Sequence, residues 1–177
     1  HDIIQKYGAD AFRYYFLRHV PSYDDGDFSW EAFEAAYNNE LANELGNAVQ
    51  RTAAMIQKYQ SGVIGPVPEA EHDMGAYSEA IVLCKFDRAL DSVWEQVRGL
   101  NQFIDTEKPW VIAKSDDPDH LSEVLAAFVG DLLEIAQMLE PFLPTTAGQI
   151  QAIFADGMVH ADKGTLFPKL ETLTTQE

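Results

Sequence analysis

Two runs of apolar residues constrain this chain more than any other feature. Phe86, Leu90, Val93, Val97, Leu100 and Ile104 recur at spacings of 4-3-4-3-4, and Leu121, Leu125, Phe128, Leu132, Ile135 and Leu139 repeat that pattern. Such a seam is one face of a helix that packs against a neighbour at a shallow angle. Upstream, Phe33, Tyr37, Leu41, Leu45 and Val49 recur every four residues, joined by Thr52 and Ile56. They predict one helix from an N-cap at Ser29, with Glu31 in the first turn where the dipole favours an acid, to about Tyr59. Residues 3–18 predict another helix. "PTTAGQIQAIF" predicts a short one that starts near Pro144, after Pro141 has stopped the fourth. "SGVIGPVPEAEHDMG" is a connector, rich in Gly and Pro. The tail from Asp156 reads as irregular or briefly extended, with Leu166 and Phe167 able to pin it. No strand alternates, so the expected fold class is all-α, an antiparallel helical bundle.

Composition narrows the function classes. The chain has 177 residues and is 46% hydrophobic, enough for a real core and too apolar for disorder. No apolar run approaches the length of a membrane span. The single cysteine excludes an internal disulfide framework and fits a reducing, cytoplasmic setting. Lys and Arg number 12 against 29 Asp and Glu, a net charge of −17. Taken in bulk, that disfavours nucleic acid, whose phosphates need cations. Screening over about 8 Å at physiological salt still lets a local basic patch act. The chain opens on His1, and "HDIIQKYGADAFRYY" is no signal peptide, so an excised fragment of a longer protein is expected.

No catalytic constellation emerges, and no metal site is expected. A di-metal bundle needs two inward Glu-x-x-His pairs. Glu69 and His72 match formally but lie in the connector, and Asp117 with His120 has that spacing in a loop. Cys84, beside Leu83 and Phe86, reads as a buried, inert thiol. Phosphate-binding and nucleophile-elbow motifs are absent. What remains is a polar stripe of Asn43, Asn47 and Arg51, spaced by four and continued by Lys58, which faces away from Leu45 and Val49. The helix break "TEKPWVIAK" adds Trp110 after Pro109, with Lys108 and Lys114 beside it.

"KYGADAFRYYFLR", "DGDFSWEAF", "NELANELGNAVQRT", "NQFIDTEKPWVIAK", "LEPFLPTTAGQI" and "LFPKLE" resemble, in this order, segments of the methionyl-tRNA synthetases, class I enzymes. The resemblance spans essentially the whole chain and implies the part of the enzyme after the catalytic core. It divides the chain into a connecting segment over 1–28, a helical anticodon-binding bundle over 29–155, and a tail over 156–177 that packs back on the domain. The implied role is recognition of the CAU anticodon stem-loop of tRNA(Met), in support of ATP-dependent methionine attachment by a catalytic Rossmann domain of the same polypeptide. ATP, Mg and any Zn would belong to that domain, with no cofactor here.

The positions that contact the first anticodon base in the family fall on Asn47, Arg51, Pro109 and Trp110. Asn101 also matches a family position, either reading RNA or holding structure. Asn43, Lys108 and Lys114 are further candidate contacts. Lys169 stands where an Arg is common, and the connector after Gly62 is idiosyncratic. The alternatives are the equivalent domain of a leucyl, valyl or cysteinyl enzyme, or an inert helical protein-interaction module.

Overall fold

In the computed structural model the described residues are 2–20, 28–68, 73–115, 117–160 and 165–169. Helices α1 (Asp2–Tyr7) and α2 (Ala9–His19) replace the single helix expected over 3–18. The break is Gly8, whose φ of 83° lies in the left-handed region that glycine enters without a Cβ penalty. Ser29 is the expected N-cap, its Oγ accepting from the Ala32 N–H at 3.1 Å. It opens α3 (Trp30–Ala36), which runs through a π-helical segment (Tyr37–Gly46) into α4 (Asn47–Gln60).

The π segment was not expected, and the spacing explains it. Apolar residues repeated every four positions drift by about 40° per step around an α-helix. From Phe33 to Val49 that drift would carry the last residues off the face. Wider i→i+5 turns absorb it, and Phe33, Tyr37, Leu41, Leu45 and Val49 all stay buried. Gly46 closes the segment, where an added Cβ would stand 3.1 Å from the Leu41 carbonyl oxygen.

Then follow α5 (Gly75–Val82), α6 (Phe86–Glu107), α7 (Pro109–Ile112), α8 (Pro118–Leu139) and α9 (Pro144–Ile153). Helix α5 was not anticipated. It ends in a left-handed cap at Cys84, φ 53°, with the Lys85 N–H bonded to the Ala80 carbonyl at 2.8 Å. This reverses the reading of Cys84 as buried: the thiol is exposed at the turn, as are Val82 and Leu83. Phe86 is likewise more exposed than a seam residue should be, because it sits at the first position of α6.

Helices α6 and α8 run antiparallel. Phe86 at the start of α6 meets Phe142 just past the end of α8, while Phe103 meets Phe128 edge-on at 5.0 Å. Apart from Phe86, both predicted seams are buried and face one core. Helix α9 packs on α8, and α2 on α6. At Gly130 the α8 backbone passes close to the chain after α4, since a Cβ there would meet the Pro68 oxygen at 3.3 Å.

Two polar ties bind the N-terminal helices to the bundle. Asp10 on α2 is buried, and its Oδ2 accepts from the Thr146 N–H at 2.7 Å and from its hydroxyl at 2.9 Å. It thereby caps α9, which has no cap of its own. Tyr14 donates to Glu40 of the π segment, and Arg18 donates to Tyr14, reaches Asp91 of α6 at 3.2 Å and lies over Trp94. Burial first, then the Glu40 charge, pushes the Tyr14 phenol up. The tail is pinned as expected at Phe167, which is buried against Tyr37, while the Tyr37 hydroxyl donates to the Pro168 carbonyl.

Candidate nucleic-acid interface

The site is assembled where α6 ends beside α4. Three residues on one face of α6 hold the neighbouring helix. Arg98 Nε lies 3.5 Å from Glu44 Oε2, and Asn101 Nδ2 donates to the Glu44 carbonyl at 3.1 Å and to the Val97 carbonyl at 3.0 Å. Asp105 Oδ1 accepts from Arg51 Nη2 at 2.6 Å. Spaced at 98, 101 and 105, these contacts follow the helical repeat. They set the register of α4 so that Arg51 stands one turn from the break that follows Glu107.

At that break Lys108 takes a left-handed conformation, φ 49°, and its carbonyl receives the Val111 N–H at 2.7 Å. Pro109 then starts α7 with its φ already suited to a first helical turn. Pro109 is buried and seals the end of the bundle, which leaves its neighbour free. Trp110 is 38% exposed and Val111 54%. The tryptophan is therefore presented at the surface and does not serve as a plug.

Asn47 lies on α4 between the two points at which that region is clamped, Glu44 and Arg51. Its side chain is exposed and makes no hydrogen bond among the described residues. Asn43 is exposed one turn earlier, within the π segment, and Lys58 further on lies over its neighbour Tyr59 at 5.0 Å. Lys108 and Lys114 are exposed on either side of Trp110.

Arg51 is thus held by Asp105 near the end of α6, where Pro109 and Trp110 follow in the chain, and Asn47 lies one turn before Arg51 on α4. Asn101 stands apart in character, because its amide nitrogen is spent on two backbone carbonyls. Sequence reasoning missed Asp105, which holds Arg51, and the Arg98–Glu44 pair. Only the three-and-four spacing of 98, 101 and 105 could have hinted at them.

The arrangement offers a flat aromatic surface, a guanidinium with donors left over after Asp105, and a free amide. Among the described residues no group of three or more His, Cys, Asp or Glu side chains could hold a metal. Glu69 and His72 lie outside the described residues. Asp117 caps α8 through the His120 N–H at 3.1 Å, so His120 sits in a helix and not in the loop expected for it. No helix of the described residues is long and apolar enough to cross a membrane.

The N-terminal part of the chain is similar to the class I tRNA synthetases: the family model described as "tRNA synthetases class I (M)" matches residues 1–53. Methionine–tRNA ligase of Clostridium acetobutylicum is 39% identical over 84% of this chain and 25% of its own length. That of Listeria monocytogenes serotype 4b is 35% identical over 96% of the chain and 30% of its own length. The apo crystal structure of Mycobacterium tuberculosis methionyl-tRNA synthetase superposes with a TM-score of 0.76 at 26% identity, covering 96% of this chain and 40% of that one. The chain belongs to the methionyl-tRNA synthetase family, and it spans about a quarter of the length of the curated relatives it matches.

Proposed function

We propose that this chain is the anticodon-reading part of a methionine–tRNA ligase and binds the CAU loop of tRNA(Met) at Asn47, Arg51, Pro109 and Trp110. The observation that supports the reading is that Trp110 is 38% exposed at the break after α6, while Arg51 is held at 2.6 Å by Asp105 in the last turn before that break. Proteins that read single-stranded RNA stack its bases on aromatic rings and question their Watson–Crick edges.

Stacking on Trp110 supplies about 1–3 kcal/mol and is nearly blind to the base. Identity comes from hydrogen bonds. Cytosine offers O2 and N3 as acceptors and N4 as a donor; Arg51 has only donors and suits the first two. The Asn47 amide can donate or accept. Uracil turns an N3–H toward a donor and leaves groups unpaired, at about 1–3 kcal/mol each. Lys108 and Lys114 lie where loop phosphates pass, and Asn43 extends the amide surface, whereas Asn101 holds the π segment to α6. The net charge of −17 is compatible with this role, because the edge needs only a few donors and distant acids are screened. Methionine activation with ATP and Mg, in the cytoplasm, would fall to a catalytic domain of the same polypeptide.

The test is binding of the chain to stem-loops carrying CAU and each single-base variant, at low and moderate salt. A preference for C at the first position, lost in Trp110→Ala and Arg51→Ala while both remain folded, is expected. Equal binding to every loop would overturn the reading.

A further inference from the structure

Helix α4 has a second polar flank, turned away from Arg51. Successive residues step about 100° around an α-helix. Measured from Asn47, Arg51 therefore lies about 40° to one side, toward Asp105 of α6. Gln50 and Gln57 lie about 60–80° to the other side, where α4 borders a cleft of about 300 Å³. Val49, Ala53 and Ile153 give this cleft an apolar side, and its polar groups include Gln50, Gln57 and His160.

The far wall is fixed by backbone bonds. Ser61 and Gly62 end α4 in left-handed conformations, φ 54° and 85°, and Asp156 and Gly157 do the same after α9, φ 54° and 71°. The segments so reversed meet at an antiparallel bridge between Val63 and Met158. The Ile64 N–H donates to the Gly157 carbonyl and the Val159 N–H to the Gly62 carbonyl, both at 2.8 Å. The His160 N–H then donates to the Ile153 carbonyl at 2.8 Å, which holds the backbone that carries its imidazole. A Cβ on Gly62 would stand 2.8 Å from Gln57 Oε1, so the bare glycine leaves that amide its place. The side chains of Gln50, Gln57 and His160 make no hydrogen bond among the described residues. Their donors and acceptors are unspent.

We propose that this cleft receives an unstacked base of the anticodon loop, other than the first anticodon base, with Gln57 and His160 bonding to its edge. The proposal rests on the reading of α4 as an anticodon-reading helix and adds a second base site on its opposite flank. Three observations favour that occupant. Neutral amides and an imidazole both donate and accept, as recognition of a base edge requires, and the apolar side suits the face of a ring. Among the described residues the cleft is lined by no carboxylate, although the chain holds 29 Asp and Glu. The larger groove between α5, α6 and α8 carries Asp73, Glu95 and Asp131, so it repels a polyanion that the cleft beside α4 tolerates. Lys58, exposed next to Gln57, supplies a cation for the phosphate of such a nucleotide.

The test is binding to CAU stem-loops in which one loop nucleotide at a time is made abasic, with the native chain and with the double variant Gln57→Ala, His160→Ala. At one position besides the first anticodon base, loss of the base should weaken binding to the native chain by about tenfold. The same loss should cost the double variant less than about twofold, because the groups that held the base are already gone. Ala53→Leu, which fills the cleft from its apolar side, should behave like the double variant. Both should keep the preference for C at the first position, with a thermal melt reporting that they fold. Abasic penalties equal in native and variant proteins at every position would overturn the cleft and leave the anticodon reading intact. So would loss of the first-base preference in the folded variants, since the substitutions would then act through the shape of α4. A native chain that binds every loop equally would remove the anticodon reading, and the cleft proposal with it.

Discussion

Replacing Asp105 by Ala separates orientation from stability at the proposed reading edge. The Asp105–Arg51 pair is short, at 2.6 Å, but the two side chains are 29% (Arg51) and 64% (Asp105) exposed. Solvent screens such a pair, and its loss should cost no more than about 1 kcal/mol of folding stability. For a chain of this size that shifts Tm by only about 2–4 °C. Base selection should suffer more. A wrong base is penalised by about 1–3 kcal/mol only while the guanidinium is held where its donors cannot follow the base. Without Asp105 the Arg51 side chain regains its rotamers, and removal of one negative charge favours any phosphate nearby. The preference for CAU over UAU loops should therefore shrink by about tenfold, or roughly 1.4 kcal/mol, while affinity for the UAU loop holds or rises. Fluorescence anisotropy with both stem-loops at one fixed salt concentration, alongside a thermal melt, measures both quantities. A preference unchanged within about twofold, or a Tm lowered by more than about 8 °C, would show that Asp105 does not position Arg51 for reading.

Asn101→Ala should act in the opposite sense. Loss of its bonds to the Glu44 and Val97 carbonyls should cost about 1–3 kcal/mol, seen as a lower urea midpoint, with the base preference of the remaining folded protein retained. Asp10→Ala strips a charged cap from Thr146 in a buried setting and should cost about 2–4 kcal/mol, hydrogen bonds to charged groups being the stronger kind. Protection of the α9 amides in hydrogen exchange should fall with it. Burial by itself raises the Glu40 carboxyl, but hydrogen bonds from His19 and Tyr14 and the nearby Arg18 charge bring it below its usual value. Its stabilisation is thus complete above the ordinary glutamate range near about pH 4.3 and lost as pH falls through the lowered value. Denaturation curves from pH 6 downward should show that loss, and Glu40→Gln should flatten it.

The two seams of α6 and α8 were readable because side-chain direction repeats with the helix, so spacing alone names the buried face. Pro141, Pro144 and Ser29 marked ends for equally local reasons. The motifs around Asn47, Arg51 and Trp110 were legible as a resemblance, and the structure adds that Trp110 is exposed and that Arg51 is paired with Asp105. The four-residue spacing from Phe33 to Val49 was visible too, yet its meaning was not. The same letters fit an α-helix with drift or a widened turn without it, and only burial of all five residues selects the second.

The amino-acid order by itself determined the long seams that became α6 and α8, the helix starting after Ser29, the short helix at Pro144, and the family, because each was read from local spacing or ordered motifs. Tertiary structure decided which polar groups meet: Asp10 with Thr146 across 136 positions, and Arg51 with Asp105 across 54. It also left Cys84 outside, where a left-handed turn ends α5. Those outcomes depend on where helices lie against each other, and an ion pair or a cap is chosen by distance in space, which no local spacing encodes.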